Sequence, residues 1–444
     1  MRHDIHHTLQ CAVDDASVDK GLMSCVHCGF CLDACPTYRL TGDESDSPRG
    51  RLALMRGVHE DKLSLSGPEA NAPGGVGYHL DRCLGCRSCE TACPSGVPYG
   101  ELLEHFRDDQ EAQTQRTLGD SLLRKSLLML LTSPQKLRFA LSAGRITGGR
   151  IPAPAAAFVG LPSDTRLPIP QDLAAASASM PIFTPAVGTK RGAVVLLTGC
   201  VMSVLYSPVH AATVFVLAQN GYDVHCPGEQ GCCGALHGHQ GALADAKVKA
   251  KGLIDQIDGL DVSAIILNSA GCGSFIKDFH KLLAHEDRWA DRATAFVSKV
   301  RDISEFLDEV GPVPMTHPVD VRATYHDACH LRHGQRIADA PRRLLRGIPS
   351  LNLIECADPD QCCGSAGVYN YLEPEIAASV LSAKLDTLLA TRAELIVTAN
   401  PGCLAWIDQG IAKRAKQGLL SPGTKAPDIL HPVQIYAKAY GFPS

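Results

Sequence analysis

The sequence predicts a chain in two parts: an α+β module near the N-terminus, followed by α/β units that repeat in tandem and have parallel strands. Two observations lead to this fold class. A run of four cysteines with one fixed spacing occurs twice before residue 100, and the tripeptide Cys-Cys-Gly occurs twice after residue 230. In the second part, strand-like apolar segments precede isolated cysteines, and helix-like segments lie between them.

Composition limits the class of protein. The 444 residues suffice for two or three domains, and 45% hydrophobic with 20% charged residues is typical of a globular chain. A net charge of −5 gives no global reason to expect a nucleic-acid partner. The first ten residues lack the apolar core of a signal peptide, and no run of about 18 apolar residues is present. We expect nineteen reduced cysteines in a cytoplasmic protein, with peripheral contact to the cytoplasmic face of the inner membrane left open.

The repeated four-cysteine run predicts two [4Fe–4S] clusters in a ferredoxin-like domain over residues 1–110. Its copies are Cys25-x2-Cys28-x2-Cys31-x3-Cys35-Pro36 and Cys83-x2-Cys86-x2-Cys89-x3-Cys93-Pro94. Three closely spaced thiolates bind one cluster, whereas the fourth, which precedes proline, reaches the other cluster. We assign the first cluster to Cys25, Cys28, Cys31 and Cys93, and the second to Cys83, Cys86, Cys89 and Cys35. Structural zinc is the alternative, but a zinc site takes its four ligands as two pairs and does not require a third closely spaced cysteine.

Between the two motifs, residues 47–55 are typical of a helix start with proline in its first turn. Arg49 and Arg51 on this helix either offset the negative charge of a cluster or belong to an ordinary solvated helix end.

Residues 111–190 are predicted to be a basic amphipathic segment followed by a connector. Residues 121–150 contain many leucines, six cations and no Asp or Glu. Such a segment docks on an anionic lipid surface or a partner subunit, unless it is a core helix with exposed cations. Residues 151–190 contain seven prolines, which indicates an extended domain boundary. The six cations are Arg124, Lys125, Lys136, Arg138, Arg145 and Arg150.

The C-terminal half repeats itself, which predicts one Cys-Cys-Gly domain over residues 191–310 and a second over 311–444. The steps from first cysteine to Cys-Cys are 32 and 33 residues, and those from Cys-Cys to last cysteine are 39 and 40. Strands are predicted at residues 193–197, 264–267, 321–325 and 395–398, and helices at 242–257 and 373–389. The cysteines are Cys200, Cys232, Cys233 and Cys272 in the first repeat, and Cys329, Cys362, Cys363 and Cys403 in the second.

Each repeat carries four thiols at the carboxyl ends of parallel strands, where open α/β sheets bind their ligands. Adjacent cysteines suit a multi-iron cluster better than a single tetrahedral ion. Zinc, a redox-active dithiol and a site without metal stay open. Cys226 and Cys356, six residues before each Cys-Cys, are core cysteines or auxiliary ligands.

Histidines crowd the second repeat near Cys329, in the run from His326 to His333, and His237 and His239 follow the first Cys-Cys. They either pass protons and contact a quinone, or form a polar loop around a cofactor.

Together, the two ferredoxin motifs and two Cys-Cys-Gly domains resemble the iron–sulfur subunit of bacterial glycolate oxidase over nearly the whole chain. Similar segments include residues 47–51, 270–273, 362–367 and 397–403. The Cys-Cys-Gly half also resembles the cysteine-rich subunits of heterodisulfide reductase and of anaerobic glycerol-3-phosphate dehydrogenase, as well as lactate-utilisation proteins. In heterodisulfide reductase each such domain ends in Cys-x-x-Cys and binds a noncubane cluster, whereas Phe275 and Trp406 occupy those final positions here.

The resemblance implies an oxidoreductase complex in which an FAD-containing subunit oxidises glycolate to glyoxylate and a second flavoprotein-like subunit assists. This chain would carry the electrons singly to a quinone-type acceptor and contribute no catalytic residue. No Gly-x-Gly-x-x-Gly fingerprint follows a strand, so the hydride chemistry belongs to a partner. The alternatives are a thiol–disulfide reductase subunit, or an electron-transfer subunit that serves D-lactate or glycerol 3-phosphate oxidation.

Overall fold

The computed structural model describes residues 15–114, 116–149, 174, 178–228, 230–420 and 425–443. Arg150 and most of the predicted connector lie outside these ranges. Within them, no helix is both long and apolar enough to cross a bilayer.

The N-terminal module is helical. No strand is present in the described residues 15–114, so the α+β, ferredoxin-like part of the predicted fold is not confirmed. The physical reason is that the segment between the cysteine motifs folds into helices with their own start signals, such as Ser47, whose hydroxyl accepts a hydrogen bond from the Gly50 amide at 3.0 Å. The helices are α1 (Asp15–Met23), α2 (Pro36–Thr41), α3 (Pro48–His59), α4 (Val76–Asp81), α5 (Ser88–Ala92) and α6 (Tyr99–Gln113).

The basic segment forms α7 (Leu118–Leu131) and α8 (Pro134–Gly144). Leu123 of α7 and Leu137 of α8 are buried against the Cys-Cys-Gly half. Arg124 pairs with Asp81 at 3.1 Å, which fixes α7 to the N-terminal module. The segment therefore folds into a pair of packed helices whose outer face exposes cations and apolar side chains.

The first repeat contains a five-stranded sheet of order β1-β3-β2-β4-β5, parallel except for β1. The strands predicted at 193–197 and 264–267 are confirmed as β2 and β4. β1 lies within the predicted connector. These residues form a strand there because they pair with β3. The strands are β1 (Phe183–Thr184), β2 (Gly192–Leu196), β3 (Tyr222–His225), β4 (Ala264–Leu267) and β5 (Val300–Asp302). The helices are α9 (Met202–Leu205), α10 (Ser207–Gln219), α11 (Ala235–His239), α12 (Leu243–Ile257), α13 (Ala270–Lys277), α14 (Phe279–Leu282), α15 (Ala290–Ser298) and α16 (Ile303–Val310).

The second repeat contains a parallel sheet of order β7-β6-β8-β9, which is the order β3-β2-β4-β5 of the first repeat. The strands predicted at 321–325 and 395–398 are confirmed as β6 and β8, and the helix predicted at 373–389 as α19. The strands are β6 (Val321–Tyr325), β7 (Leu351–Ile354), β8 (Leu395–Val397) and β9 (Asp428–Leu430). The helices are α17 (Ala340–Arg346), α18 (Tyr369–Leu372), α19 (Pro374–Ala390), α20 (Pro401–Lys416) and α21 (Pro432–Ala439).

One hydrophobic core joins the two repeats. It contains Val194 of β2 and Ile266 of β4 together with Ala323 of β6, Val397 of β8 and Tyr436 of α21. The N-terminal module packs on both repeats: Arg87 pairs with Asp278 at 2.8 Å, and the Tyr369 hydroxyl donates to the Arg82 carbonyl at 2.8 Å. The cysteine motifs of the module are thereby held close to the thiols of the repeats.

Candidate metal centres

The outer site consists of Cys25, Cys28, Cys31 and Cys93. These four thiols and Cys89 of the other motif line one small cavity of about 30 Å³, and Cys28 is exposed to solvent. Burial is the largest cause that raises the pKa of Cys31, and the charge of Cys25 raises it further. The structure thus brings together the four cysteines that the spacing assigns to the first cluster.

The inner site consists of Cys83, Cys86, Cys89 and Cys35, all of which are buried. Burial raises the pKa of Cys89 well above its usual value, and the charges of the three other thiols raise it further. Such a group needs positive charge nearby if its members are to bind metal as thiolates.

Two arginines supply that charge to the inner site. Arg51 is fully buried and donates to the His79 carbonyl at 2.6 Å and to Asp46 at 3.2 Å. Arg107 donates to the Cys83 carbonyl at 2.7 Å. Burial opposes ionisation of Cys83, but Arg51 and Arg107 together lower its pKa.

The sequence left Arg51 open between a cluster neighbour and a solvated helix end, and it gave no signal for Arg107, which lies on α6, twenty-four residues after Cys83. Arg49 instead pairs with Glu44 at the surface at 2.6 Å and donates to the His27 carbonyl of the outer loop at 3.3 Å.

The four thiols of the first repeat form one connected group. Cys200 lies 3.6 Å from Cys232, measured between Sγ atoms, and the neighbouring thiols Cys232 and Cys272 raise the pKa of Cys233. Cys200 follows β2, and Cys272 begins the helix that follows β4. The Gly234 amide donates to Cys232 Sγ at 3.4 Å, which favours a thiolate there.

The second repeat has the same arrangement. Cys363 and Cys403 are 3.4 Å apart, Cys362 contacts both Cys329 and Cys363, and the Gly364 amide donates to Cys362 Sγ at 3.4 Å. Gly364 has φ +88° and its matching Gly234 has φ +89°, a backbone conformation that other residues adopt only with strain. The glycine of each Cys-Cys-Gly therefore shapes the turn that presents the adjacent thiols.

The eight thiols of the repeats line one cavity of about 530 Å³. Phe275 and Trp406, the residues in place of the terminal cysteines, also line it. Cys86 of the inner site packs in one cluster with Cys362 and Cys329. Burial, and then the charge of Cys329, raise the pKa of Cys86, so the inner site and the second repeat are electrostatic neighbours.

The predicted histidines take different positions. His330 and His239 line the cavity with ring centroids 5.1 Å apart, and His239 Nδ1 lies 2.7 Å from Glu104. His333 contacts Thr91 at 2.9 Å on the N-terminal module. His326 lies below the cavity with both ring nitrogens buried. A role in proton transfer or quinone contact stays a prediction.

Cys226 and Cys356 are buried in hydrophobic cores. Burial alone raises the pKa of Cys226 to about 12, without a contribution from another thiol. Cys356 Sγ lies 3.9 Å from the Tyr325 carbonyl. Both positions suit core cysteines better than auxiliary ligands.

Two family models match the chain: a 4Fe-4S dicluster domain at residues 21–97, and a cysteine-rich domain at 194–277 and 323–408. The chain is 38% identical over 421 residues to the probable glycolate oxidase iron-sulfur subunit of Bacillus subtilis, which covers 90% of this chain and 92% of that protein. It is 34% identical over 390 residues to the glycolate oxidase iron-sulfur subunit of Escherichia coli, with 87% and 89% covered. The chain belongs to the glycolate oxidase iron–sulfur subunit family.

Membership in this family confirms the resemblance, and the chain is an iron–sulfur protein with an electron-transfer role. Lactate utilization protein A of Shouchella clausii is 31% identical over 222 residues, half of this chain and 92% of that protein. A crystal structure of a hypothetical protein from Helicobacter pylori shares the fold, with a TM-score of 0.58 and 9% identity over 97% of this chain and 78% of that one.

The chemistry of the donors fits iron–sulfur clusters. Each site offers four thiols, and at the inner site Arg51 and Arg107 favour the thiolate form of Cys83. Thiolates are the usual ligands of such clusters. When bound, the clusters would supply one-electron transfer, while the residues of this chain hold them, set their local charge and limit their contact with water.

Proposed function

We propose that this chain carries electrons from a partner flavin that oxidises glycolate to glyoxylate, through the outer and inner sites, to the thiol sites of the repeats. One observation carries the proposal: a continuous series of thiol groups leads from exposed Cys28 through buried Cys86 to Cys362 in the shared cavity. Within this series, the outer site holds the first [4Fe–4S] cluster and the inner site the second, and each repeat holds a further iron–sulfur centre.

A flavin subunit suits this arrangement because a flavin accepts two electrons as a hydride, whereas iron–sulfur clusters accept one at a time. The relatives' names support glycolate as the donor and this chain as one subunit of a larger enzyme. The proposal includes FAD-containing and flavoprotein-like subunits as its partners. The lactate utilization relatives make D-lactate the second candidate donor.

The test uses the complete complex and the variants Cys363→Ser and Cys356→Ala. We expect Cys363→Ser to lower glycolate-dependent reduction of a quinone or dye at least tenfold, because it removes a thiol of the second repeat. Flavin bleaching by glycolate in a stopped-flow instrument should stay fast in this variant. The core variant Cys356→Ala should keep both rates. Full turnover in Cys363→Ser, or equally slow flavin bleaching, would contradict the proposal.

A thiol–disulfide reductase is the second candidate function, because two groups of four thiols share one cavity. Phe275 and Trp406 stand against it, since they occupy the terminal positions of the Cys-x-x-Cys pairs. We expect no cleavage of a small disulfide by the reduced subunit. Turnover that disappears in Cys363→Ser would instead favour this second function.

A quinone acceptor would require contact with a membrane surface, for which α7 and α8 are the candidates. Phe139 of α8 and Ile146, two residues after α8, are 77% and 89% exposed, and Lys125 of α7 and Lys136 of α8 are exposed as well. Anionic vesicles should therefore bind the complex, and binding should weaken as salt rises. Replacement of both Lys125 and Lys136 by glutamine should reduce co-sedimentation with the vesicles severalfold. Binding that changes neither with salt nor with this replacement would exclude α7 and α8 as the anchor.

A further inference from the structure

His326 lies directly beside two thiols of the second repeat. One of its ring nitrogens and the Sγ atoms of Cys363 and Cys403 all lie within 4.8 Å of one another. The residue follows β6 immediately, and its side chain is fully buried. The imidazole therefore occupies the carboxyl end of the sheet, where the thiols of this repeat converge.

Neither ring nitrogen of His326 makes a hydrogen bond of normal geometry with any described residue. A buried polar group without a hydrogen-bond partner lowers the stability of the folded state by about 1–3 kcal/mol. A metal ion bound to this imidazole would remove that cost. An imidazole nitrogen that carries no proton and has no hydrogen-bond partner offers a lone pair that can bind a metal ion.

The backbone around His326 is rigidly held. Its amide donates to the Val397 carbonyl of β8 at 2.9 Å. The next residue, Asp327, is buried and receives two hydrogen bonds of 2.8 Å from Arg342. A fixed backbone helps to orient a metal ligand, because the chain cannot easily turn away from the site.

The first repeat has no imidazole at the matching position. Leu197 stands three residues before Cys200, as His326 stands three residues before Cys329. Leu197 is 4% exposed and packs in an apolar core with Leu253 of α12. The repeats therefore share their thiols, but only the second has an imidazole at this position.

We propose that the imidazole of His326 is a ligand to iron in the centre held by the second repeat. The inference rests on the proposed function, because it requires an iron–sulfur centre in this repeat. A neutral imidazole in place of an anionic thiolate raises the reduction potential of a cluster, as in centres with two histidine ligands. The second repeat would thus have a higher potential than the all-thiol first repeat, and electrons from the inner site would collect next to Cys86.

The test is pulsed paramagnetic resonance of the reduced holoprotein, prepared with ¹⁵N in its histidine rings. We expect ¹⁵N coupling on the signal that Cys363→Ser removes. The coupling should disappear in His326→Gln and persist in His330→Gln, a matched change at the neighbouring cavity histidine. His326→Cys should retain the signal without the nitrogen coupling and lower its reduction potential, which covers the case in which His326→Gln does not fold.

The outcomes separate the two proposals. If no signal depends on Cys363, the centre in the second repeat is absent and the proposed function loses that step. If the signal depends on Cys363 but shows no ¹⁵N coupling in the wild-type protein, only the ligand inference fails. Coupling that survives in His326→Gln, or that disappears in His330→Gln, would also overturn it.

Discussion

Arg51 offers the sharpest test of how this chain sets the properties of its inner site. Its guanidinium is fully buried. Arg51 Nη1 lies 3.1 Å from the Thr37 hydroxyl, which lies 3.2 Å from Cys35 Sγ. Replacement by glutamine removes a positive charge next to the second cluster, so the reduced state loses stabilisation and the reduction potential should fall.

The size of the fall follows from these distances. The charge of Arg51 is at most about 6 Å from the Cys35 thiolate, where two unit charges interact by about 3 kcal/mol at an effective dielectric constant of about 20. For a one-electron couple this corresponds to about 130 mV. Loss of Arg51 also removes one partner of Asp46 and so destabilises the folded state. A fully broken buried ion pair costs about 3–5 kcal/mol, and the cost here should be lower because Arg82 still contacts Asp46 at 3.0 Å.

A redox titration followed by paramagnetic resonance measures this shift for each cluster. Arg51→Lys keeps the charge and should lower the potential by less than half as much as Arg51→Gln. Arg49→Gln is the surface control, because solvent screens its guanidinium, and it should leave the inner cluster within about 20 mV of the wild-type value. An unchanged inner potential in Arg51→Gln with the cluster intact, or an equal shift in Arg49→Gln, would refute the reasoning.

Three further predictions concern the clusters and the sheet ends. Cys28→Ser should remove one cubane signal from the paramagnetic resonance spectrum and Cys86→Ser the other; identical spectra would contradict the two-cluster assignment. Burial raises the pKa of Asp302 to about 7 in the folded state, above its unfolded value of about 3.9. Between these pH values the folded state holds a proton that the unfolded state has lost. The free energy of unfolding should therefore fall by up to about 4 kcal/mol as the pH rises from about 3.9 to about 7. Asp302→Asn should remove that loss in urea unfolding at pH 5 and pH 8, and an unchanged pH dependence would exclude this carboxyl as the cause. Gly364→Ala should lower the free energy of unfolding by at least about 1–2 kcal/mol. It should also lower the iron content more than Gly234→Ala, because the added Cβ would lie 2.6 Å from a carbonyl oxygen at position 364 and 3.0 Å from one at position 234. Equal iron content in the two variants would contradict this order.

The sequence predicted the features that local patterns encode. Cysteine spacing picked out the sixteen thiols that the structure gathers into four groups, since the thiols occur in runs of fixed spacing that are each repeated once. Apolar runs located β2, β4, β6 and β8, because buried parallel strands are continuously hydrophobic. The α+β description of the N-terminal module went further than these patterns allow, since its intermotif segment is helical in the described residues.

Only the tertiary structure decided which of these sites are neighbours. The contact of Cys86 with Cys362 joins residues 276 positions apart, and the core shared by the two repeats joins both sheets. Arg107 reaches the inner site, and His326 reaches the thiols of the second repeat, through packing that no local pattern specifies. The physical reason is that the spacing of cysteines fixes which thiols bind a cluster, whereas burial and long-range packing fix the charges, the additional donors and the neighbouring clusters around it.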